Sequence, residues 1–152
     1  SGSLLERVEV FKKEMDALGD VAWEVHLAPN DGGLTDVEAG YRAAYQLFTT
    51  RSRDLPTAII TTNDLCAIGV LKAAQKAGIR VPEDLSVVGI DDIDWSAYGD
   101  PPLTTVRIPK ETMGMRAIEV LSRLLAGDSD CPIETRIPTS LIVRASTAPA
   151  GE

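Results

Sequence analysis

β-rich runs alternate with helix-period segments through the middle of this chain of 152 residues. Residues 57–62 form one β-rich run, residues 64–78 follow with apolar side chains at helical spacing, and residues 85–90 form a second run of this kind. Continuous runs of this kind are typical of parallel strands that are buried on both faces. Short connections between alternating strands and helices favour right-handed βαβ units. The pattern therefore predicts an α/β fold, a parallel sheet flanked by helices.

The two ends of the chain continue the pattern with further helices and short strands. Glycines at positions 19 and 127 stand where left-handed caps would end two of the helices. Domains commonly span about 100–200 residues, so residues 1–152 are interpreted as a single domain. The additional helices are predicted at residues 4–18, 36–50 and 111–126, and the additional strands at residues 22–27, 103–108 and 141–143.

Composition and charge narrow the class of protein. Hydrophobic residues make up 44% of the chain and charged residues 25%, which is the balance of a protein with a buried core and a solvated surface. No apolar run approaches the roughly 18 residues that a membrane-spanning helix needs, and the first residues lack a signal peptide's features. We expect a soluble, cytoplasmic protein with no membrane partner. The net charge of −8 repels phosphate backbones, so nucleic acid is a poor direct partner.

The residues that carry most metal and nucleophile chemistry are scarce. Cys66 and Cys131 stand far apart, and His26 is the single histidine, so neither a zinc site nor a Cys–His or Ser–His–Asp set can be assembled. We predict that both cysteines are buried thiols and that His26 faces solvent. The expectation is a protein without a metal site or cofactor that is not an enzyme.

Polar residues follow two of the predicted strands, where parallel sheets usually bind ligands. Asn63 can offer its amide to a ligand or cap the following helix, and the pattern alone favours the cap. Asp91 and Asp92 place two carboxylates where ligand hydroxyls or a hard cation can be held. Arg7, on the first helix, is by pattern alone a solvated charge.

Several motifs resemble those of LacI/GalR transcriptional regulators. The segments are PTAIITTND at residues 56–64, GIRVPEDLSVVGIDD at residues 78–92 and PPLTTV at residues 101–106. Arg7 with Phe11 and the pair at residues 40–41 extend the resemblance towards the start of the chain, so that nearly all of it is covered.

The resemblance implies a fold and an incomplete unit. It identifies the chain as the C-terminal lobe of a two-lobed, periplasmic-binding-protein-like type I effector domain, a fragment without the first lobe and without the helix-turn-helix domain. Residues 103–126 resemble the segment that crosses back into that first lobe. The resemblance implies that DNA is contacted only through the missing N-terminal domain.

The resemblance also implies which residues bind a small-molecule effector. Arg7, Asn63 and Asp91 match the positions that hydrogen-bond an effector, a sugar or a nucleobase-like compound, and their donor and acceptor groups suit a polyhydroxylated ligand. The chain departs from the family pattern at three places. It has Val10 for a glycine, Ile108 for a glutamine, and Leu34 or Thr35 for an aromatic residue that stacks on the effector.

A homodimer is the expected assembly. Ile68 and Leu71, on the helix after Asn63, and Trp95 and Tyr98, in the loop after the second strand, fall where the family's dimer contacts lie. The alternative for Ile68 and Leu71 is that they face the sheet.

Three functions are compatible with these residues. The leading hypothesis is the effector-sensing and dimerisation part of a LacI-type regulator. The alternative is a sugar-binding protein of a transport system with the same fold. The third is an enzyme in which Asp91 and Asp92 hold magnesium for phosphoryl transfer, and it lacks a nucleophile or phosphate cradle.

Overall fold

The computed structural model describes residues 2–26, 35–51, 55–132 and 134–149. Within these ranges the chain forms five α-helices and four β-strands. Their order is α1 (Gly2–Leu18), α2 (Val37–Thr50), β1 (Ala58–Ile60), α3 (Asp64–Ala77), β2 (Ser86–Asp91), α4 (Trp95–Tyr98), β3 (Thr104–Arg107), α5 (Lys110–Leu125) and β4 (Ser140–Ile142).

The four strands form one sheet in the order β1-β2-β3-β4. β1, β2 and β3 are parallel, with Gly89 opposite Thr105 across β2 and β3. β4 runs antiparallel to β3, with Leu141 opposite Val106. The α/β prediction is confirmed, but the sheet is mixed rather than wholly parallel, because the chain returns along the outer edge of β3 after α5.

The core lies between the α2–α3 pair and the sheet. α2 packs chiefly on α3, and glycine is needed where the two helices touch. A Cβ on Gly40 would overlap the carbonyl oxygen of Cys66, and one on Gly69 would overlap that of Val37. Side chains of α2, α3 and the sheet then meet in one cluster. Its buried members are Ala44, Leu47, Phe48, Ala67, Val70, Ala73, Ala74, Leu85, Val87 and Leu103.

The predicted helix ends agree with the structure. Asn63 caps α3, its Oδ1 accepting a hydrogen bond from the Cys66 amide at 2.9 Å. Gly78 ends that helix in the left-handed region with φ 73°. Gly19 and Gly127, after α1 and α5, have φ 75° and 79°. These local signals fix where the helices start and stop.

The strand predicted at residues 22–27 is wrong over its described part. Residues 21–26 form no strand, and Leu27 lies outside the described residues. Alternating side chains favour a strand only when a neighbouring backbone supplies hydrogen bonds, and no described strand pairs with this segment. Side chains hold it instead. Trp23 meets Phe11 edge to face at 6.0 Å between ring centroids, and Glu24 bonds Arg51.

The prediction that residues 57–62 form a strand buried on both faces is also wrong. The strand is shorter, and Ile60 is 55% exposed. β1 lies at the edge of the sheet with β2 as its neighbour, so its apolar run lacks the cover that a central strand receives.

The predictions for the two cysteines and the histidine are confirmed. Cys66 and Cys131 are both buried free thiols, and burial raises the pKa of the Cys66 thiol. His26 is exposed beside Glu24. None of the helices in the described ranges is long and apolar enough to cross a membrane.

Candidate functional site

The three residues singled out as ligand contacts lie at the carboxyl ends of β1 and β2. Arg7 reaches across from α1, and its Nη1 donates a hydrogen bond to the Thr62 carbonyl oxygen at 2.8 Å. Asn63 follows directly in the chain, and Asp91 ends β2. Arg7 is also close enough to act on the Asp91 carboxylate electrostatically. The structure therefore brings residues from three distant parts of the sequence to one edge of the sheet.

Asn63 is held on both sides of its amide. Its Oδ1 caps α3, and its Nδ2 donates to the Thr35 carbonyl oxygen at 2.7 Å. The capping role favoured by the pattern is confirmed. Since an amide nitrogen carries two hydrogens, one N–H is left to point elsewhere. Thr35 is half-buried beside this amide, whereas Leu34, the other position considered for a stacking side chain, lies outside the described residues.

Asp91 is half-buried, and no donor in the described ranges bonds its carboxylate. Burial raises the pKa of Asp91, and the opposite charge of Arg7 counteracts part of that rise. A carboxylate that has lost water without gaining a hydrogen bond is costly to keep, and such groups concentrate at binding sites.

The Asp92 carboxylate, unlike that of Asp91, accepts hydrogen bonds on both of its oxygens. One carboxylate oxygen accepts from Arg144 Nη2 and the other from Arg107 Nε, each at 2.6 Å. Burial raises the pKa of Asp92, but the hydrogen bonds from the two arginines outweigh it, so that the pKa lies below its usual range. Because Asp92 is bonded to arginines, it is not available to share a cation with Asp91.

The backbone of this acidic pair is unusual. Asp91 has φ 121° and Asp92 has φ 50°, a region that glycine adopts readily and other residues do not. Backbone strain of this kind persists only where surrounding bonds over-determine it, and it concentrates at ligand-contact sites. The arginine bonds of Asp92 and the bond from its amide to Thr105 Oγ1, at 3.3 Å, supply that restraint.

Sequence reasoning missed Asp64, the first residue of α3. Its side chain is fully buried, and its two oxygens accept hydrogen bonds from the Ile93 amide, the Ser96 hydroxyl and the Thr105 hydroxyl. A glycine within the apolar run of β2 is the one sequence signal that could have revealed it. A Cβ at Gly89 would overlap Asp64 Oδ1.

The residues predicted to form a dimer interface differ in exposure. Ile68 and Leu71 are half-buried, and Leu71 packs against the core cluster. Trp95 and Tyr98 on α4 are 73% and 82% exposed. Of these two, Leu71 thus packs inward, as the alternative for Ile68 and Leu71 expects, whereas the two aromatic residues present a large apolar area to solvent.

Known proteins are similar to this chain in sequence. Residues 6–147 match the family model described as periplasmic binding protein-like domain. The chain is 35% identical over 116 residues to the transcriptional repressor PurR of Yersinia pestis bv. Antiqua, a match that covers 76% of this chain and 33% of the relative. It is 38% identical over 145 residues to the transcriptional regulator MalR of Streptomyces coelicolor, covering 95% and 41%. The matches thus span between a third and two fifths of these relatives.

Solved structures give the same family. A LacI family transcriptional regulator from Arthrobacter sp. FB24, in complex with lactose, superimposes with a TM-score of 0.77 at 32% identity, over 90% of this chain and 48% of that one. The lac repressor dimer bound to operator and the anti-inducer ONPF has a TM-score of 0.69 at 31% identity, over 74% and 38%. The resemblance predicted from the motifs is confirmed. The chain belongs to the family of periplasmic binding protein-like domains, and within it the chain is similar to LacI-type transcriptional regulators.

Proposed function

We propose that this chain is the effector-sensing and dimerisation part of a LacI-type transcriptional regulator. In this proposal it is a cytoplasmic, non-catalytic lobe that binds a small molecule and leaves DNA contact to a separate domain. The observation that carries the proposal is the unbonded, half-buried carboxylate of Asp91 beside Arg7 at the carboxyl ends of the strands. The relatives named above are all transcriptional regulators, which favours this function over a transport protein.

Each of the three residues has a distinct role in the proposed site. Arg7 is fixed by its bond to the Thr62 carbonyl and has further N–H donors on its guanidinium. Asn63 is fixed by its cap and offers its remaining amide hydrogen. Asp91 accepts from ligand hydroxyl or N–H groups. Bonds to charged groups are the stronger kind, so Arg7 and Asp91 should supply most of the affinity.

A polyhydroxylated ligand fits this combination of two donors and one carboxylate acceptor. The solved relative bound to lactose supports a sugar, and so does the cellobiose complex of the transcriptional regulator CelR, which is 31% identical to this chain with a TM-score of 0.68. A nucleobase, which also presents both donors and acceptors, is the second ligand class. Nothing in the proposal requires a metal or cofactor.

Amide-resolved NMR tests the site directly, because weak binding is visible in it. We would titrate the ¹⁵N-labelled chain with a panel of mono- and disaccharides, including lactose and cellobiose, and with adenine. The proposal predicts that one ligand class shifts the Thr62 and Asp91 amides and the Arg7 Nε signal while β4 amides stay in place. Shifts confined to other surfaces, or no shift with any member of the panel, would contradict it.

We further propose that Trp95, Tyr98 and Ile68 contribute to a homodimer interface, whereas Leu71, which packs against the core, is left out of it. Exposed aromatic residues support this, since aromatic side chains are enriched in interface cores. Sedimentation should show a dimer for the parent chain and a monomer for the Trp95→Glu, Tyr98→Glu double variant, with Val10→Glu as the exposed control. A monomeric parent, or a double variant that remains dimeric, would show that α4 is not the interface.

Residues 103–126 are proposed as the segment that crosses into a second lobe. They comprise β3 and the whole of α5, and α5 supports the proposal because it has no buried residue among those described. Ile118, Leu121 and Leu125 are 65%, 52% and 80% exposed along it. An exposed apolar stripe of this extent is unusual on the surface of a monomeric protein and is typical of a surface that another part of a protein covers.

A further inference from the structure

Asp64 is a fully buried carboxyl group that the proposed binding site does not use. Its Oδ2 accepts from the Ile93 amide at 2.9 Å and from the Ser96 hydroxyl at 2.6 Å, and its Oδ1 accepts from the Thr105 hydroxyl at 2.5 Å. No cation bonds it within the described ranges. Three hydrogen bonds and its place in the first turn of α3 offset the cost of burying it.

The three donors belong to two parts of the fold, because Ile93 and Ser96 lie in the segment after β2 and Thr105 lies on β3. Thr105 lies on β3, and its hydroxyl also accepts from the Asp92 amide, so this bond leads to the strained turn that carries Asp91. Ser96 lies in α4 between Trp95 and Tyr98 in the sequence, and its side chain is buried whereas their rings are exposed. Asp64 is therefore bonded to both the ligand side and the aromatic side of the loop after β2.

The position of the carboxyl group is tightly restrained by packing as well as by bonding. Gly89 leaves room for Oδ1 that any side chain would fill. Ser96 and Thr105 are 1% and 0% exposed, so water does not compete for these bonds. The Ser96 carbonyl oxygen in turn accepts from the Leu103 amide at 2.8 Å, which holds α4 against the start of β3.

We propose that Asp64 is a positioning residue that couples the Asp91 carboxylate to the aromatic face of α4, formed by Trp95 and Tyr98. A carboxylate is rigid, so a displacement of Ser96 and Ile93 that moves Oδ2 also moves Oδ1, the Thr105 hydroxyl and the Asp92 amide. Ligand contact at Asp91 and contact at the aromatic face then influence one another equally in both directions. The inference rests on the proposed function only for the statement that Asp91 is the ligand contact.

Paired hydroxyl deletions test the coupling without any ligand. Ser96→Ala removes the bond to α4, and Thr105→Val removes the bond to the turn. We expect Ser96→Ala to shift the Asp91 and Asp92 amide signals, and Thr105→Val to shift the Trp95 indole N–H signal. The matched control is Ser146→Ala. Ser146 is also fully buried and bonds Val87 and Thr104, but not Asp64, so it should leave these signals in place.

A double-mutant comparison separates coupling through Asp64 from a change that spreads along the loop itself. In an Asp64→Leu background the side chain has a similar size but can neither accept nor donate a hydrogen bond, so Ser96→Ala should no longer shift the Asp91 signal. In the parent background, Thr105→Ser keeps the hydroxyl and should leave the Trp95 signal in place. If Asp64→Leu does not fold, the reciprocal shifts of Ser96→Ala and Thr105→Val against Ser146→Ala decide the matter.

The result that would overturn the proposal is a Ser96→Ala shift at Asp91 that is equally large in the parent and in the Asp64→Leu background, or no shift at either end. If no ligand of the panel shifts the Asp91 signal but Ser96→Ala and Thr105→Val cause the expected shifts, the proposed function is wrong and the coupling stands. If a ligand shifts the Asp91 signal but the two variants cause no such shifts, the proposed function stands and the coupling is wrong.

Discussion

Loss of the Asp92 carboxylate should destabilise the chain more than any other change at the surface of the site. Arg144 is the important partner, since its side chain is 17% exposed against 9% for Asp92, whereas Arg107 is 53% exposed. A hydrogen bond between charged groups contributes about 1.5–3 kcal/mol when water is largely excluded. An exposed ion pair contributes about 0–1 kcal/mol. Removing both should therefore cost about 1.5–4 kcal/mol of the free energy of unfolding.

The backbone adds a second cost that two substitutions separate. Asp92 has φ 50°, where alanine is strained and glycine is not. Asp92→Gly loses the arginine bonds but relieves the backbone strain, whereas Asp92→Ala loses the bonds and keeps the strain. Asp92→Ala should therefore be less stable than Asp92→Gly by about 1 kcal/mol. Urea unfolding followed by circular dichroism at pH 7 measures both differences.

The pH dependence gives an independent check on the same bonds. The pKa of Asp92 in the folded chain lies below its usual range, so its contribution to stability is present above the ordinary aspartate pKa. That contribution is lost as the pH falls through the lowered value. The stability gap between the parent and Asp92→Gly should thus narrow on acidification. A gap under about 0.5 kcal/mol at pH 7, the range of neutral surface changes, or a gap that acid leaves unchanged, would refute the reasoning.

Three further predictions concern neighbouring features of the chain. Because burial raises the pKa of Asp91, the ionised carboxylate opposes folding once the pH rises above the ordinary aspartate pKa. Asp91→Asn should therefore raise the melting temperature at pH 7 but not near pH 3, and equal shifts of the melting temperature at the two pH values would contradict this. Gly89→Ala should lower the free energy of unfolding by about 1–3 kcal/mol by overpacking against Asp64, whereas Gly114→Ala, in open space on α5, should raise it by about 0.5–1 kcal/mol. Chemical denaturation of the two variants tests the difference, and similar changes in stability at the two sites would contradict the prediction. The isolated chain should not retain an operator duplex in a mobility-shift assay at physiological salt, because its net charge is −8; specific retention would overturn that expectation.

Signals that act within one helix or strand were readable from the sequence. The Asn63 cap and Gly78 mark the ends of α3 because capping depends on residues three or four positions away. The apolar run before Asp91 identifies β2 because the residues that form such a run are consecutive in the chain. Asn63 and Asp91 could be selected as candidates because they follow strands, where ligands commonly bind.

Contacts between distant segments were not readable in this way. Arg7 bonds the carbonyl of a residue 55 positions away, and nothing in its own helix distinguishes it from a solvated charge. It was selected only through the family resemblance. Asp92 looked like half of an acidic pair because its partner Arg144 follows 52 positions later. Whether residues 21–26 form a strand depends on a neighbouring backbone, which side-chain alternation does not reveal.

The affinity of two site variants for the ligand that shifts the parent's signals tests the central claim most directly. By NMR titration, Asp91→Asn and Arg7→Met should each bind that ligand roughly 10- to 150-fold more weakly, the equivalent of about 1.5–3 kcal/mol for a hydrogen bond to a charged group. The exposed Asp94→Asn is the matched control and should bind as the parent does. Parental affinity in both site variants would show that the ligand lies elsewhere and that this edge of the sheet is not the effector site.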